Sequence, residues 1–279
     1  SRATGENIGK YTITPSGAEK SNYTVSFVTG DFSITAAPLT VTAIDQTKVY
    51  GSADPTFTYS ITGFVNEDTE ASLETEVSIL RAAGENVGSY TITPSSASSS
   101  NYTVSFETSE FGITAAGLTV AAIDQTKVYG ATDPTLTYAI TGFVNGDTEA
   151  SLETGVIVSR AVGENVGSYT ITPSSASSSN YTVSFETSEF GITAAGLIVV
   201  AIDQTKVYGA KDSALIYSIE GLVNGDTEAN LETGVSISRV AGENVGNYTI
   251  TPSAASSSNY IVSFVTADFR ITAAPLTVT

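Results

Sequence analysis

The residues of this chain that could do chemistry are almost all carboxylates. There are 29 Asp and Glu against 11 Lys and Arg, with no His and no Cys. The usual general bases, thiol nucleophiles and thiolate metal ligands are therefore missing. Paired acids can still hydrolyse glycosides, and Glu70, Glu74, Glu85 and Glu107 are the candidates. They fall in turns and on strand exteriors of a small module that offers no cleft, so no catalytic residue is assigned and the chain is not expected to be an enzyme. Calcium takes about six to eight oxygens. Its best candidates are Asp45, Asp54, Asp68 and Glu70, which recur as Asp124, Asp133, Asp147 and Glu149 and again as Asp203, Asp212, Asp226 and Glu228. No Asp-Xaa-Asp-Xaa-Asp run gathers such ligands locally, so neither a metal nor another cofactor is expected. Lys48, Lys127 and Lys206 also recur. With Glu85 and Asn86 they could form an intramolecular amide crosslink, but an exposed lysine in a turn is the favoured reading. No glycine-rich phosphate loop opens a helix.

What positions these residues is a repeat. Asp-Gln-Thr-Lys-Val-Tyr-Gly starts at Asp45, Asp124 and Asp203, and Gly-Glu-Asn-Xaa-Gly starts at Gly5, Gly84, Gly163 and Gly242, always 79 residues apart. Ser-Asn-Tyr starts at Ser21, Ser100, Ser179 and Ser258 with the same step. Such self-similarity marks a tandem array. The expected domains are three full repeats at 38–116, 117–195 and 196–274. Residues 1–37 match the C-terminal half of a repeat, and 275–279 match the first strand of another. Residues 1–37 therefore expose an unpaired sheet edge unless something completes them, a neighbouring chain for instance. The absence of Met leads to the expectation of an internal or processed segment of a longer protein.

Within a repeat the apolar period is two, the signature of strands. Phe57, Tyr59 and Ile61 alternate with threonine and serine, as do Tyr90 with Ile92 and Tyr102 with Val104 and Phe106. These are the expected core residues. Phe111 with Ile113, Val77 with Ile79, and Leu39 with Val41 supply further strands. Short strands rich in Val, Ile, Thr, Tyr and Phe predict an all-β, immunoglobulin-like sandwich for each repeat. Asn145-Gly146-Asp147 and Asn224-Gly225-Asp226 read as tight turns, and Asn66-Glu67-Asp68 stands in their place in the first full repeat. Asp68–Leu73 reads as one helical turn capped by Asp68 or Thr69, and Ser95–Ser100 as a mobile polar loop. Gly88-Ser89-Tyr90 reads as a tyrosine corner, in which the hydroxyl bonds back to nearby backbone.

Taken together, Val-Tyr-Gly, Asp-Pro, Tyr-Xaa-Ile-Thr-Gly-Phe-Val-Asn-Gly-Asp-Thr, Arg-Ala-Xaa-Gly-Glu-Asn-Val-Gly-Xaa-Tyr-Thr-Ile-Thr and Asn-Tyr-Thr-Val-Ser-Phe resemble the MBG repeat of long bacterial surface proteins and adhesins. The resemblance covers essentially the whole chain. It implies an extracellular protein at the bacterial cell surface, in which many copies form a stalk between the envelope and an adhesive tip. It implies no catalytic residues.

A formal charge of −18 argues against nucleic acid, which needs a basic footprint, and against an anionic membrane surface. No apolar run of about 18 residues is present, so no direct membrane insertion through a helix is expected. The partners expected are neighbouring repeats of the same protein and a surface or secretion-system component. Two function classes remain: a structural extender, or a repeated weak ligand- or glycan-binding adhesive module. Near-identity of the copies and the short Ala-Ala-Gly and Ala-Ala-Pro junctions favour the extender.

Overall fold

The computed structural model describes residues 1–278. The chain divides into two compact units, one of Ser1–Leu118, Gly142–Glu153 and Ser177–Thr182, the other of Thr119–Thr141, Thr154–Ala176 and Val183–Thr279. The first full repeat lies in the first unit and the third in the second, and the middle repeat contributes to both.

Two strands, β1 (Gly9–Ile13) and β2 (Gly30–Ile34), precede the first full repeat. That repeat holds β3 (Ala37–Ala43), β4 (Gln46–Val49), β5 (Tyr59–Thr62), β6 (Ser78–Arg81), β7 (Gly88–Ser95), β8 (Tyr102–Glu107) and β9 (Ser109–Thr114). The next repeat has β10 (Ala116–Ala122), β11 (Gln125–Val128), β12 (Tyr138–Thr141), β13 (Ile157–Arg160), β14 (Gly167–Ser174), β15 (Tyr181–Glu186) and β16 (Ser188–Thr193). The last has β17 (Ala195–Ala201), β18 (Gln204–Val207), β19 (Tyr217–Glu220), β20 (Ser236–Arg239), β21 (Gly246–Ser253), β22 (Tyr260–Val265) and β23 (Ala267–Thr272). Each repeat is a sandwich of a three-stranded sheet, β5-β3-β8 in the first, and a four-stranded sheet, β4-β9-β7-β6. No helix among the described residues is long and apolar enough to cross a membrane.

The inward faces follow the alternation. Leu39, Val41, Ile92, Tyr102, Phe111 and Ile113 are buried, and Phe57, Tyr59, Tyr90 and Val104 are half-buried. Thr58 and Thr103 are exposed, so the register is the expected one. Phe57 meets Phe111 edge to face at 5.5 Å, a favoured aromatic geometry. Phe106 departs from expectation. It is exposed, as are Phe185 and Phe264 in the other repeats. The strand β8 has a partner on one side only, and burial fades along it from Tyr102 through Val104 to Phe106.

Alternation does not reveal strand direction. Strand β3 pairs in parallel with β8, Leu39 opposite Val104, and β4 pairs in parallel with β9, Lys48 opposite Ile113. Each sandwich therefore mixes parallel and antiparallel ladders, with long crossovers between the parallel pairs. The β4 strand also corrects the reading of Lys48. It is not an exposed turn lysine but a strand residue, 8% exposed.

Turns behave as their residues require. The helical turn is Glu70–Ser72 with Thr69 at its N-cap, where the Thr69 N–H donates to Ser72 Oγ at 3.2 Å. Ser95–Ser100 is not a free loop. Ala97 is buried, Ser98 pairs with Thr75, and the Ser100 N–H donates to Glu74 Oε1 at 2.8 Å. Asn145 and Gly146 both have positive φ, 56° and 78°, closed by a bond from the Asp147 N–H to the Val144 carbonyl at 2.9 Å. Positive φ at both central residues is the geometry for which Asn-Gly is suited. In the first full repeat Glu67 takes the glycine position at φ 65°. Left-handed backbone costs a residue with a Cβ about 1–2 kcal/mol, and glycine's larger unfolded-state entropy offsets about 0.4–1 kcal/mol of that. Glu67→Gly is therefore expected to stabilise its repeat by about 0.5–1 kcal/mol. Urea unfolding checks this, and an unchanged or lower midpoint contradicts it.

Candidate functional site

The four calcium candidates are dispersed by the fold. Asp45 Oδ1 accepts the Glu110 N–H at 2.8 Å. Asp68 Oδ2 accepts the Tyr102 hydroxyl at 2.7 Å. Glu70 Oε1 accepts the Tyr59 hydroxyl. Asp54 joins a cluster of ion pairs. No group of three or more acids able to hold a metal occurs among the described residues. Of the glycosidase candidates, Glu74 caps the serine stretch, Glu85 enters the same ion-pair cluster and Glu107 accepts the Thr42 hydroxyl at 3.0 Å.

The cluster is built from Lys48 on β4, Arg81 at the last position of β6, and Asp54 and Glu85 on the connections that follow those strands. Lys48 Nζ lies 2.7 Å from Asp54 Oδ1 and 2.5 Å from Glu85 Oε2. Arg81 grips Asp54 with two nitrogens, Nε at 2.6 Å and Nη2 at 3.1 Å, and also reaches Glu85. Its Nη1 donates to the Gly84 carbonyl at 2.6 Å. The guanidinium sits 5.0 Å from the Phe111 ring centre and 5.5 Å from that of Tyr90, within cation–π range. Lys127, Asp133, Arg160 and Glu164 repeat the arrangement, as do Lys206, Asp212, Arg239 and Glu243. The sequence pairs Lys48 with Glu85 but carries no signal that brings Arg81 and Asp54 to them; the fold does. Asn86, the other crosslink candidate, turns to the next repeat instead.

Electrostatics follow from these contacts. The Arg81 hydrogen bonds, helped by Lys48 and opposed by burial, hold Asp54 down at about 2. Asp133 is likewise held at about 2, chiefly by Arg160 and then Lys127. Glu85 is lowered by Lys48 and Arg81. Burial alone would lower Lys48, but its bonds to Asp54 and Glu85 outweigh that and raise it. A carboxylate whose folded pKa lies below its unfolded value, about 3.9 for Asp, stabilises the fold above that value. The contribution disappears as pH falls through the folded pKa. Stability is thus expected to drop between about pH 4 and pH 2. Protonation also relieves the net charge of −18, which acts in the opposite sense. Exposed charges contribute little each, so the clusters decide the sign. Urea midpoints that stay level or rise over this window contradict the assignment.

A second site was hidden in the sequence. Asn180, immediately before β15, reaches back to the preceding repeat. Its Oδ1 accepts the Val87 N–H at 2.9 Å, and its Nδ2 donates to Asn86 Oδ1 at 3.1 Å. Asn101 does the same to Ile8 and Asn7, and Asn259 to Val166 and Asn165. Tyr50 packs edge to face on Tyr181 at 5.4 Å, and its hydroxyl donates to Asp147 Oδ2 at 2.9 Å. Tyr129 treats Tyr260 and Asp226 alike. Asp147 also accepts the Tyr181 hydroxyl at 2.8 Å, and these two tyrosines lower its pKa. Tyr260 is pushed up to about 12, first by burial. Gly51 lies so close to Val144 that a Cβ there would overlap the valine side chain. The tyrosine corner supports the same edge. Tyr90 Oη donates to the Asn86 carbonyl at 2.8 Å, fixing the loop that receives Asn180. The separations of 93 to 97 residues exceed the 79-residue step, so each contact joins successive repeats.

Among solved structures, the chain is similar to three N-terminal domains of the bacteriophage RB49 highly immunogenic outer capsid protein, at 14% identity over 95% of each chain and a TM-score of 0.26. It is also similar to Drosophila N-cadherin EC1-3, at 12% identity over 69% of this chain and 79% of that one, with a TM-score of 0.18. No curated protein matches it. The model of the MBG domain (YGX type) matches residues 1–33, 39–112, 118–191 and 197–270. Tyr50-Gly51, Tyr129-Gly130 and Tyr208-Gly209 head that signature, and the first two pairs are the ones seated in the repeat junctions. The chain belongs to the MBG domain family of the YGX type, as a tandem array.

Proposed function

We propose that this tandem array is a structural extender, a stalk segment of a long bacterial cell-surface adhesin that holds an adhesive tip away from the envelope, and that it catalyses no reaction. The observation that carries this reading is the junction. The same Asn, Tyr and Asp side chains tie one repeat to the next, and no flexible linker intervenes between β9 and β10 or between β16 and β17. Short connections with fixed side-chain contacts suit a spacer that keeps its reach. Asp54 and Glu85 hold their sandwich together through ion pairs, and Asp147 bonds across the junction. The test is the maximum dimension of the chain in dilute solution.

A further inference from the structure

The two parallel ladders of a repeat lie on the path that tension takes through it. A pull along the chain enters the first full repeat at the start of β3. It leaves at the end of β9, where Ala115 alone separates β9 from β10. Strand β3 lies parallel to β8 over six residue pairs, from Ala37 opposite Tyr102 to Thr42 opposite Glu107. Strand β4 lies parallel to β9 over four, from Gln46 opposite Phe111 to Val49 opposite Thr114. Only Thr108 separates β8 from β9, and the tightest hairpin loops have about two residues. The chain therefore runs on in one direction as it passes from the three-stranded sheet to the four-stranded one. Because both pairs are parallel, β3 and β4 make the same step across Ile44 and Asp45. A pull on the two ends drags β3 with β4 lengthwise past β8 with β9. The interstrand bonds lie across the strands, so such a pull strains them together rather than in turn.

Further bonds fasten the same seam. The Ala37 N–H donates to the Asn101 carbonyl at 3.1 Å and the Tyr50 N–H to the Thr114 carbonyl at 2.8 Å, which carries the pairing past both ends. Ser105 Oγ donates to the Leu39 carbonyl and Thr114 Oγ1 to the Lys48 carbonyl, each at 3.2 Å. At the step between the sheets, where the two ladders are interrupted, Asp45 Oδ1 accepts the Glu110 N–H at 2.8 Å. The third repeat has the same parallel pairs, β17 with β22 and β18 with β23. Its Ser263, Thr272 and Asp203 make the corresponding bonds to the Leu197 carbonyl, the Lys206 carbonyl and the Asp268 N–H. The recurring aspartate that binds no metal here has a place on this seam.

We propose that each repeat is a tension clamp. Pulled by its two ends, a repeat opens only when β3 with β4 shears from β8 with β9 as one seam, and Asp45 pins the step between the two ladders. Resistance to forced extension is a further function, because a spacer has only to keep its length. Forced unfolding is governed by the height of the barrier and not by equilibrium stability, so the direction of pulling decides the outcome. The proposal rests on strand direction within one repeat and not on the extender reading.

Single-molecule stretching of the whole chain by its two ends tests it. Opening one 79-residue repeat releases roughly 220–250 Å of chain, which identifies each event. The chain has no cysteine, so Pro38→Cys with Thr103→Cys supplies a second pulling direction. These two residues face each other on β3 and β8, and both are exposed, so the melting midpoint is expected to stay unchanged. A pull between them crosses the ladder and opens it pair by pair. At one loading rate, rupture through the ends is expected to need about twice the force of rupture across the ladder, or more. Asp45→Ala combined with Asp124→Ala and Asp203→Ala is expected to lower the end-to-end force. Asp45→Asn with Asp124→Asn and Asp203→Asn is expected to retain it, because the amide oxygen still accepts the N–H. Equal forces in the two directions overturn the proposal, as does an end-to-end force that the alanine substitutions leave unmoved.

Discussion

Arg81→Ala is expected to destabilise its repeat by about 2–4 kcal/mol, somewhat under the full cost of breaking a buried ion pair. The side chain is almost covered, and its loss leaves Asp54 with Lys48 alone and the Gly84 carbonyl without its donor. It also strips a cation from the faces of Phe111 and Tyr90. Asp54 retains some solvent access, about a third of its side chain, which moderates the loss. Arg81→Lys is expected to recover less than half of it, because an ammonium cannot grip a carboxylate with two parallel bonds and reach a carbonyl as well. Arg160→Ala serves as a replicate in the next repeat, since Arg160 makes the same contacts with Asp133, Gly163 and Phe190. Urea unfolding at neutral pH reads both. A change under about 1 kcal/mol would place these pairs with ordinary surface salt bridges.

Gly63→Ala is expected to cost about 3 kcal/mol or more, the range of strained backbone combined with overpacking. Gly63 has φ 109°, and a Cβ on it would overlap the Pro38 carbonyl oxygen and lie 3.3 Å from Leu39 Cα. Both neighbours are backbone of β3, so no rotamer change relieves them, and Leu39 sits in the core. Gly221 has the same relation to the Gly196 carbonyl. Gly196→Ala is the control. Gly196 has open space around its Cβ position, and within a strand the alanine is expected to be neutral or to stabilise by about 0.5 kcal/mol. Equal melting midpoints for Gly63→Ala and Gly196→Ala would contradict the packing of β3 against the turn after β5.

The sequence made the register of the sandwich legible because an inward side chain must be apolar at every second position. Tyr102, Val104 and Ile92 announce their face in that way, and Tyr90 announces its corner through Gly88. Strand β4 escaped because Gln46-Thr47-Lys48-Val49 has no apolar alternation. Its lysine is buried by ion pairing with residues 6 and 37 positions away. Parallel pairing escaped because alternation is the same in either direction. The junction escaped for a different reason. In near-identical copies, periodicity cannot say whether Asn180 meets its own repeat or the preceding one. The usable signal was Asn22, Asn101, Asn180 and Asn259, an amide kept just before each strand-opening tyrosine where strand propensity does not call for one.

The most direct measurement for the extender reading is small-angle scattering of the dilute chain. A sandwich with strands rising about 3.3 Å per residue is roughly 35–45 Å long with its end loops. Three and a half repeats end to end then reach a maximum dimension on the order of 120–160 Å. A compact globule of 279 residues would have a radius of gyration of about 19 Å by the usual scaling. The account predicts the long dimension, unchanged on dilution. A compact particle, with repeats folded back on one another, would contradict it.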